Sequence, residues 1–282
     1  MKNESIKKEM AGVYIIWYRE MLLYFRNKIK LFTSFFVPIM LTIFLGSGLA
    51  SFFPTANQVE NFSNFFYSGV LVLSIVVNVF DATISLVWDK EFGFMREILV
   101  APMSKPKVVI GKILGAVTRG LMQGIALLIV APILGINFFV YQIFLLLLLM
   151  VLISITIASL GIIVASFIKR IEMFSFFSQI FVSPMLFLSG AFFTLEKIPH
   201  WMQTISYFNP LFYAVNGVRI LVFNTDFMPE TMSNMLVYSL NFGFVVLSLF
   251  ALITLGISIM IFSRVSITEV IKKLIEETED MI

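Results

Sequence analysis

Six long apolar runs dominate the chain, at 31–53, 65–88, 108–134, 138–168, 173–193 and 236–262. Each approaches or exceeds the ~20 residues a helix needs to cross hydrocarbon. Charged interruptions are few: Asp81 in the second run, which also holds Asn78, and Lys112 and Arg119 in the third; Pro38 interrupts the first run and Pro184 the fifth. The fourth run is longer than one crossing requires, which predicts tilt or protrusion. The runs are continuous rather than alternating, and this excludes a closed barrel. The pattern predicts an all-α, polytopic membrane protein with six transmembrane helices over 31–262.

The segments outside the runs are patterned as well. Over 5–28, Ile6, Met10, Val13, Trp17, Met21 and Tyr24 recur at three- and four-residue steps, while Lys7, Lys8, Arg19 and Glu20 fall off that stripe. This predicts an amphipathic helix within 1–30, lying along a membrane surface with its aromatic side chains in the headgroup layer. Residues 263–282 predict a shorter tail helix with a solvated acidic end. Between the second and third runs, Glu91, Met95, Ile98 and Leu99 have helical spacing and Pro102 ends the pattern, so a short amphipathic helix is expected within 89–102. Between the fifth and sixth runs, residues 195–225 carry two helical patterns broken at Asn209-Pro210. Neither is long enough to cross, and two half-helices dipping back into the membrane are expected.

Charge orients the bundle. Lys2, Lys7, Lys8, Arg19, Arg26, Lys28 and Lys30 precede the first run. Lys90, Arg96, Lys105, Lys107, Lys112 and Arg119 gather around the second connection and the start of the third run. Lys169 and Arg170 follow the fourth run, and Arg264, Lys272 and Lys273 the sixth. With six spans, 18 of the 20 basic residues fall on one side, leaving only Lys197 and Arg219 on the other. The positive-inside rule then predicts cytoplasmic termini in a prokaryotic-type inner membrane. No compact apolar stretch with a small-residue cleavage site opens the chain, so no cleavable signal peptide is expected.

Composition narrows the chemistry. Hydrophobic residues make up 59% of the 282 and charged residues only 13%, against ~25% charged in soluble domains. There is no Cys and a single His, so a disulfide framework, a thiolate metal site and a cysteine nucleophile are excluded, and a histidine-ligated metal is disfavoured. A membrane-embedded enzyme would need clustered His, Cys or carboxylates, and these are absent from the sequence pattern. No nucleic-acid partner is expected. The 32 Phe mostly serve lipid contact and helix packing. Phe177, Phe181, Phe187, Phe192 and Phe193, with Met173 and Met185, are expected to line an apolar pathway along the fifth run.

Two charges lie inside apolar runs. Asp81 precedes Trp88 by seven residues and Arg119 follows Gly111 by eight. At ~1.5 Å per residue both sit ~10–12 Å from the same membrane face. An unpaired charge at that depth is costly, so an Asp81–Arg119 pair, or a shared wet cavity, is expected. Asn78, one turn away, belongs to the same polar face and is a weaker candidate for the substrate path.

Two segments carry a family resemblance. EFGFMREILVAPMSKPKVVIGKIL (91–114) and SPMLFLSGAFFTLEKIPHWMQTISYFNPLFYAVNGVR (183–219) resemble the signature segments of type-2 ATP-binding-cassette exporter permeases. The second is the more specific. It has Ser189-Gly190 before two Phe, then Leu-x-x-Ile-Pro199-x-Trp201, then Asn209-Pro210-Leu-x-Tyr213, then Arg219. Its wording is closer to the daunorubicin- and nodulation-factor-exporter permeases than to the polysaccharide exporters, and Thr194 stands where many relatives have Pro. With the amphipathic start and six spans, the likeness covers nearly the whole chain.

The resemblance implies a permease subunit, itself not an enzyme. It would pair with a second permease, identical or paralogous, and with two separate ATP-binding subunits that hold ATP and Mg, this chain binding no cofactor. It implies coupling to those subunits through the amino-terminal helix and the helix at 89–102, with Trp17, Glu91, Phe92, Met95, Arg96 and Glu97 as candidate contacts. The cargo would be a hydrophobic or amphipathic drug, antibiotic or lipid. Polysaccharide export is the nearest alternative, and a secondary transporter the alternative of another class. The sequence agrees by lacking a phosphate-binding loop: its only Gly-Lys, Gly111-Lys112, is followed by Ile113 and has no upstream Gly at the required spacing.

Overall fold

The structure is a computed structural model. It describes residues 2–48, 56–95, 104–192, 199–223 and 238–279, with side chains over 11–44, 63–95, 104–192, 199–223 and 238–265. Every regular element among the described residues is helical. In chain order these are α1 (Lys2–Arg26), α2 (Lys28–Gly48), α3 (Ala56–Ala82), α4 (Ile84–Glu91), α5 (Lys105–Val130), α6 (Val140–Phe167), α7 (Ile171–Phe187), α8 (His200–Ser206), α9 (Pro210–Phe223) and α10 (Leu240–Glu279), with a 3-10 turn at Ala131–Leu134 after α5.

Local chemistry sets the breaks. Asn27 ends α1 and starts α2: its side-chain oxygen accepts from the Lys30 amide at 3.0 Å, as an N-cap does. The two helices, measured over Ala11–Arg26 and Lys28–Phe44, bend by 79° there. Thr83 separates α3 from α4, its hydroxyl donating back to the Phe80 carbonyl. Gly93 and Gly135 turn the chain at φ +81°, a conformation glycine adopts without a Cβ clash.

Among the described residues, four stretches are long and apolar enough to cross a membrane unaided: Ser63–Glu91, Lys105–Leu134, Val140–Phe167 and Leu240–Val265. The bent α1–α2 pair passes the same test only when taken together. α7 is shorter than its expected span. It stops at Phe187 because the chain turns through Leu188 to Gly190, where φ is +78°. The expected tail helix is continuous with the last span: α10 runs unbroken to Glu279, and no Gly or Pro between Gly256 and Glu279 ends it.

α6 lies at the centre, packed by α3, α5, α9 and α10. Its Leu146, Leu149, Met150 and Ile153 meet Leu71, Ile75, Val79 and Leu127 in the core. Small residues bring the axes together. Two Gly-x-x-x-Gly steps sit on α5: Gly111 and Gly115 leave no room against Ile16 and Glu20 of α1, while Gly120 and Gly124 abut Val79, Ser154 and Met150. This is how helices associate where lipid supplies no hydrophobic drive between them. The outer surface is greasy: Val245, Leu249, Leu252, Ile253 and Met260 of α10 are all exposed, as lipid contact requires.

Candidate functional site

At one end of the bundle, five charges from three helices form a network. Glu20 of α1 accepts from Lys112 Nζ at 2.9 Å and from Arg119 at 3.2 Å, both on α5. Arg119 also donates to the Glu20 backbone carbonyl at 2.8 Å and lies 4.9 Å from the Tyr24 ring centre. Lys112 Nζ reaches Asp89 of α4 at 2.7 Å and the Ser85 hydroxyl at 3.1 Å. Arg19 closes the network with a two-pronged contact to Asp89. Glu20, Asp89, Lys112 and Arg119 are each at most 5% exposed. Charges this deep persist only with paired, hydrogen-bonded partners. The network therefore locks α1 to α4 and α5.

The expected Asp81–Arg119 pair does not form. Arg119 is taken by Glu20, and Asp81 pairs with Lys30 at the start of α2, at 2.5 Å. The bend at Asn27 brings that lysine over α3, a contact no linear pattern specifies. The amphipathic face of α1 is also rotated from expectation. Ile16, Glu20, Met21 and Tyr24 are buried, while Val13 and Trp17 are only half-buried. Trp17 faces α5, its indole N–H donating to Thr118 Oγ1 at 2.9 Å.

α4 ends in a clasp. Lys90 Nζ donates to the Ala165 and Ser166 carbonyls, which close α6. The neighbouring Glu91 accepts the Ile171 amide, which opens α7, at 2.8 Å. A cation on a helix C-terminus and a carboxylate on an N-terminus both follow the helix dipole. Beyond the clasp, Phe92 is exposed and packs on Trp88 with ring centres 5.3 Å apart, and Met95 is buried. Of the expected helix at 89–102, residues 89–91 complete α4, Phe92-Gly93 turns, and Phe94 and Met95 are helical, while residues 96–102 lie outside the described residues. Arg96 and Glu97 lie outside the described residues.

The remaining expected residues separate into three groups. Asn78 donates to Gln123 Oε1 at 3.2 Å between α3 and α5. Phe177, Phe181 and Phe187 are exposed along α7, Phe181 lying 6.1 Å from Phe80 and Phe187 5.5 Å from Phe192. At the opposite end of the bundle, Arg219 of α9 donates to the Gly190 carbonyl at 2.6 Å and stacks over Phe65 at 3.9 Å. Asn209 Nδ2 donates to the Met185 carbonyl at 2.6 Å, and Tyr213 donates to the Tyr207 carbonyl at 2.9 Å. Pro199 precedes α8, Trp201 on α8 is exposed, and Pro210 opens α9. The signature segment is therefore a brace that ties two short helices to the turn after α7. Residues 193–198 and 224–237, parts of the expected half-helix region and its connections, lie outside the described residues. Replacing Arg219 by Lys should weaken the brace, because an ammonium does not reproduce the planar stacking on Phe65. A fall in melting temperature of detergent-purified protein measures it.

The fold and these contacts can be set beside known proteins. A family model for the ABC-2 type transporter matches residues 11–223. The chain belongs to the ABC-2 type transporter family. A putative transport permease, ycf38, of Cyanophora paradoxa is 27% identical over 228 residues, covering 77% of each chain. The inner membrane transport permease YadH of Escherichia coli K12 is 26% identical over 160 residues, 56% of this chain and 62% of YadH. Nodulation protein J of Rhizobium leguminosarum bv. viciae is 26% identical over 184 residues, 64% of this chain and 70% of its own. This ABC-2 permease is thus an integral membrane protein built for transport. Among its described residues, no group of three Asp, Glu or His gathers as metal ligands.

Sequence reasoning missed Glu20 and Asp89. The signal for Glu20 was present: it stands one turn from both Ile16 and Tyr24, on the buried face. Its partners Lys112 and Arg119 are seven residues apart and so share one side of α5.

Proposed function

We propose that this permease is the membrane half of an ATP-driven exporter. Two permease subunits pair, and each seats an ATP-binding subunit that holds ATP and Mg, beneath the end that carries the charge network. That end faces the cytoplasm, with both termini, as the distribution of Lys and Arg favours. The cargo is hydrophobic or amphipathic, in keeping with the exposed Phe and Met side chains along α7.

The observation that carries the reading is the clasp at Lys90 and Glu91. Two adjacent residues hold the end of α6 and the start of α7, and the helix they terminate continues α3. A push on Phe92 to Met95 is then delivered to three helices at once. The ion network passes the same displacement to α1 and α5. Closure of the ATP-binding subunits supplies the push, and parting of the braced helices at the opposite end releases cargo.

Co-expression with a cytosolic ATPase encoded in the neighbouring reading frame tests this directly. The two should co-purify and turn over ATP in a vanadate-sensitive manner, and the permease alone should move no cargo in liposomes. Unaided transport would overturn the proposal. Orientation has its own test, because the sequence has no Cys. A single F92C should react with an impermeant maleimide from the cytoplasmic side only.

Glu91→Lys should uncouple the complex. It removes the amide acceptor and places a like charge at the positive start of α7, a loss of about 1–2 kcal/mol. Substrate-stimulated ATPase should drop several-fold while membrane insertion and yield stay normal. Wild-type stimulation in this variant would remove the clasp from the transmission path.

A further inference from the structure

An open cleft of about 410 Å³ lies between α3, α4 and α7. Its floor is apolar, with Phe80 and Phe174 stacked 5.6 Å apart. Its α7 wall is mixed: Ser175, Ser178, Gln179 and Ser183 line it beside Val182 and Leu186. The four polar residues fall at i, i+3, i+4 and i+8, so one stripe of the helix is polar although its flanks, Phe176, Phe177 and Ile180, are exposed apolar residues. Packing does not require hydroxyls there, and lipid contact disfavours them.

Opposite that stripe stands Asp81, the one acidic group of the cleft lining. Its ion-pair partner is Lys30, not a member of the sealed network. The Asp81 side chain is 44% exposed, whereas the acids of the network, Glu20 and Asp89, are 3% and 2% exposed. Its counter-ion, Lys30, comes from the first turn of α2, does not line the cleft, and is itself 40% exposed. A half-exposed pair with one long flexible partner exchanges readily, because such pairs are weakly held. The cleft therefore offers an apolar floor, a row of neutral hydrogen-bonding groups and a carboxylate whose cation is replaceable.

We infer that this cleft is a binding site for amphiphiles with a cationic, ammonium-type headgroup, with Asp81 as the specificity-determining carboxylate and Lys30 as the resident cation that the ligand displaces. The apolar part of the ligand lies on Phe80 and Phe174, and its headgroup takes the place of the Lys30 ammonium. Anionic headgroups are rejected by Asp81. The inference rests on the proposed export role, and it narrows the cargo from amphiphiles in general to cationic ones.

The test uses the permease–ATPase complex in nanodiscs of neutral lipid. The probe is a benzophenone-tailed trimethylammonium amphiphile, compared with its uncharged tert-butyl isostere and a sulfonate analogue of the same tail. Labelling of the peptide containing 171–187 is followed by mass spectrometry against probe concentration. The cationic probe should label saturably and the other two should not. Asp81→Asn should raise the half-saturating concentration by about tenfold or more, since a cation in a membrane cleft then loses its only counter-charge. Lys30→Gln should lower it by about two- to fivefold, the range expected when a competing half-exposed ion pair is removed.

That gain separates recognition from mere structure. If K30Q weakens labelling as D81N does, the pair only holds α2 to α3 and the inference falls. Equal labelling by the uncharged isostere also overturns it. Vanadate-sensitive turnover of the same complexes is read in parallel: its absence in wild type would count against the export reading alone, whereas intact turnover with charge-blind labelling would count against the cleft alone.

Discussion

Glu20→Ala should leave little folded protein. The carboxylate neutralises two buried cations, Lys112 and Arg119, and without it both face apolar surroundings with Asp89 as the remaining acid. Breaking one partner out of a buried charge cluster costs about 3–5 kcal/mol. Proteins hold only about 5–15 kcal/mol in reserve, so the loss is a large part of the total. Fluorescence-detected size exclusion after a temperature series measures it, and the variant should melt far below wild type or fail to accumulate.

The double variant Glu20→Gln with Lys112→Met should recover part of the loss. It removes one stranded cation and restores a hydrogen-bond acceptor for Arg119. A single E20A that melts with wild type would show that water, not protein, surrounds these charges. By the same logic Arg19→Ala should cost less than E20A. Its side chain is 37% exposed, and solvent screens most of what an exposed cation contributes.

Gly161→Val is expected to be strongly destabilising. A Cβ at Gly161 would overlap the buried Thr83 side chain, whose hydroxyl, methyl and β-carbon all lie too close. Overpacking a tight core costs about 1–3 kcal/mol, and valine adds two further carbons to the clash. Thr83 also marks the break between α3 and α4, so the displacement falls on the element that ends in the clasp. Both a lower melting temperature and poor ATPase stimulation are expected. Thr83→Ala should suppress the defect in part, because two of the three clashing atoms leave. Suppression of stability without recovery of stimulation would mean that the break position itself matters for transmission.

Both predictions lie on contacts between helices far apart in sequence. Glu20 and Lys112 are 92 residues apart. The hydrophobic pattern separates membrane-embedded segments from polar ones in long runs, because a continuous apolar run in hydrocarbon satisfies its own backbone only as a helix. It does not say which face of a run meets which neighbour. For that reason Glu20 reads as a solvated residue in the sequence, although it sits on the buried face of α1. The Asp81–Arg119 pairing names two helices, α3 and α5, that do pack together, but each charge has another partner. Each charge did need a partner, but the sharp bend at Asn27 delivers Lys30 to one and the Gly111/Gly115 contact delivers Glu20 to the other.

The coupling segment shows a similar division. Its amphipathic spacing and the terminal Pro102 indicate a helix, and Phe94-Met95 is helical. The left-handed turn at Gly93 could not be distinguished from an ordinary glycine within the pattern, so the break between α4 and Phe94 was not legible. At the opposite end, the break at Asn209-Pro210 was legible because proline cannot continue a helix. The use of Arg219 was not, because its acceptors are backbone carbonyls, which every residue carries.

What the sequence determined by itself is therefore the solvent of each segment, the helical class, the family and the residues too polar to be in lipid without a reason. What only the tertiary structure decided is the pairing: Glu20 with Lys112 and Arg119, Asp81 with Lys30, and Lys90 and Glu91 with two helix ends. The physical reason is that burial and helix formation are paid for locally, residue by residue, whereas a charge or carbonyl is satisfied by whichever group the glycine-lined contacts and the chain bends bring within about 3 Å.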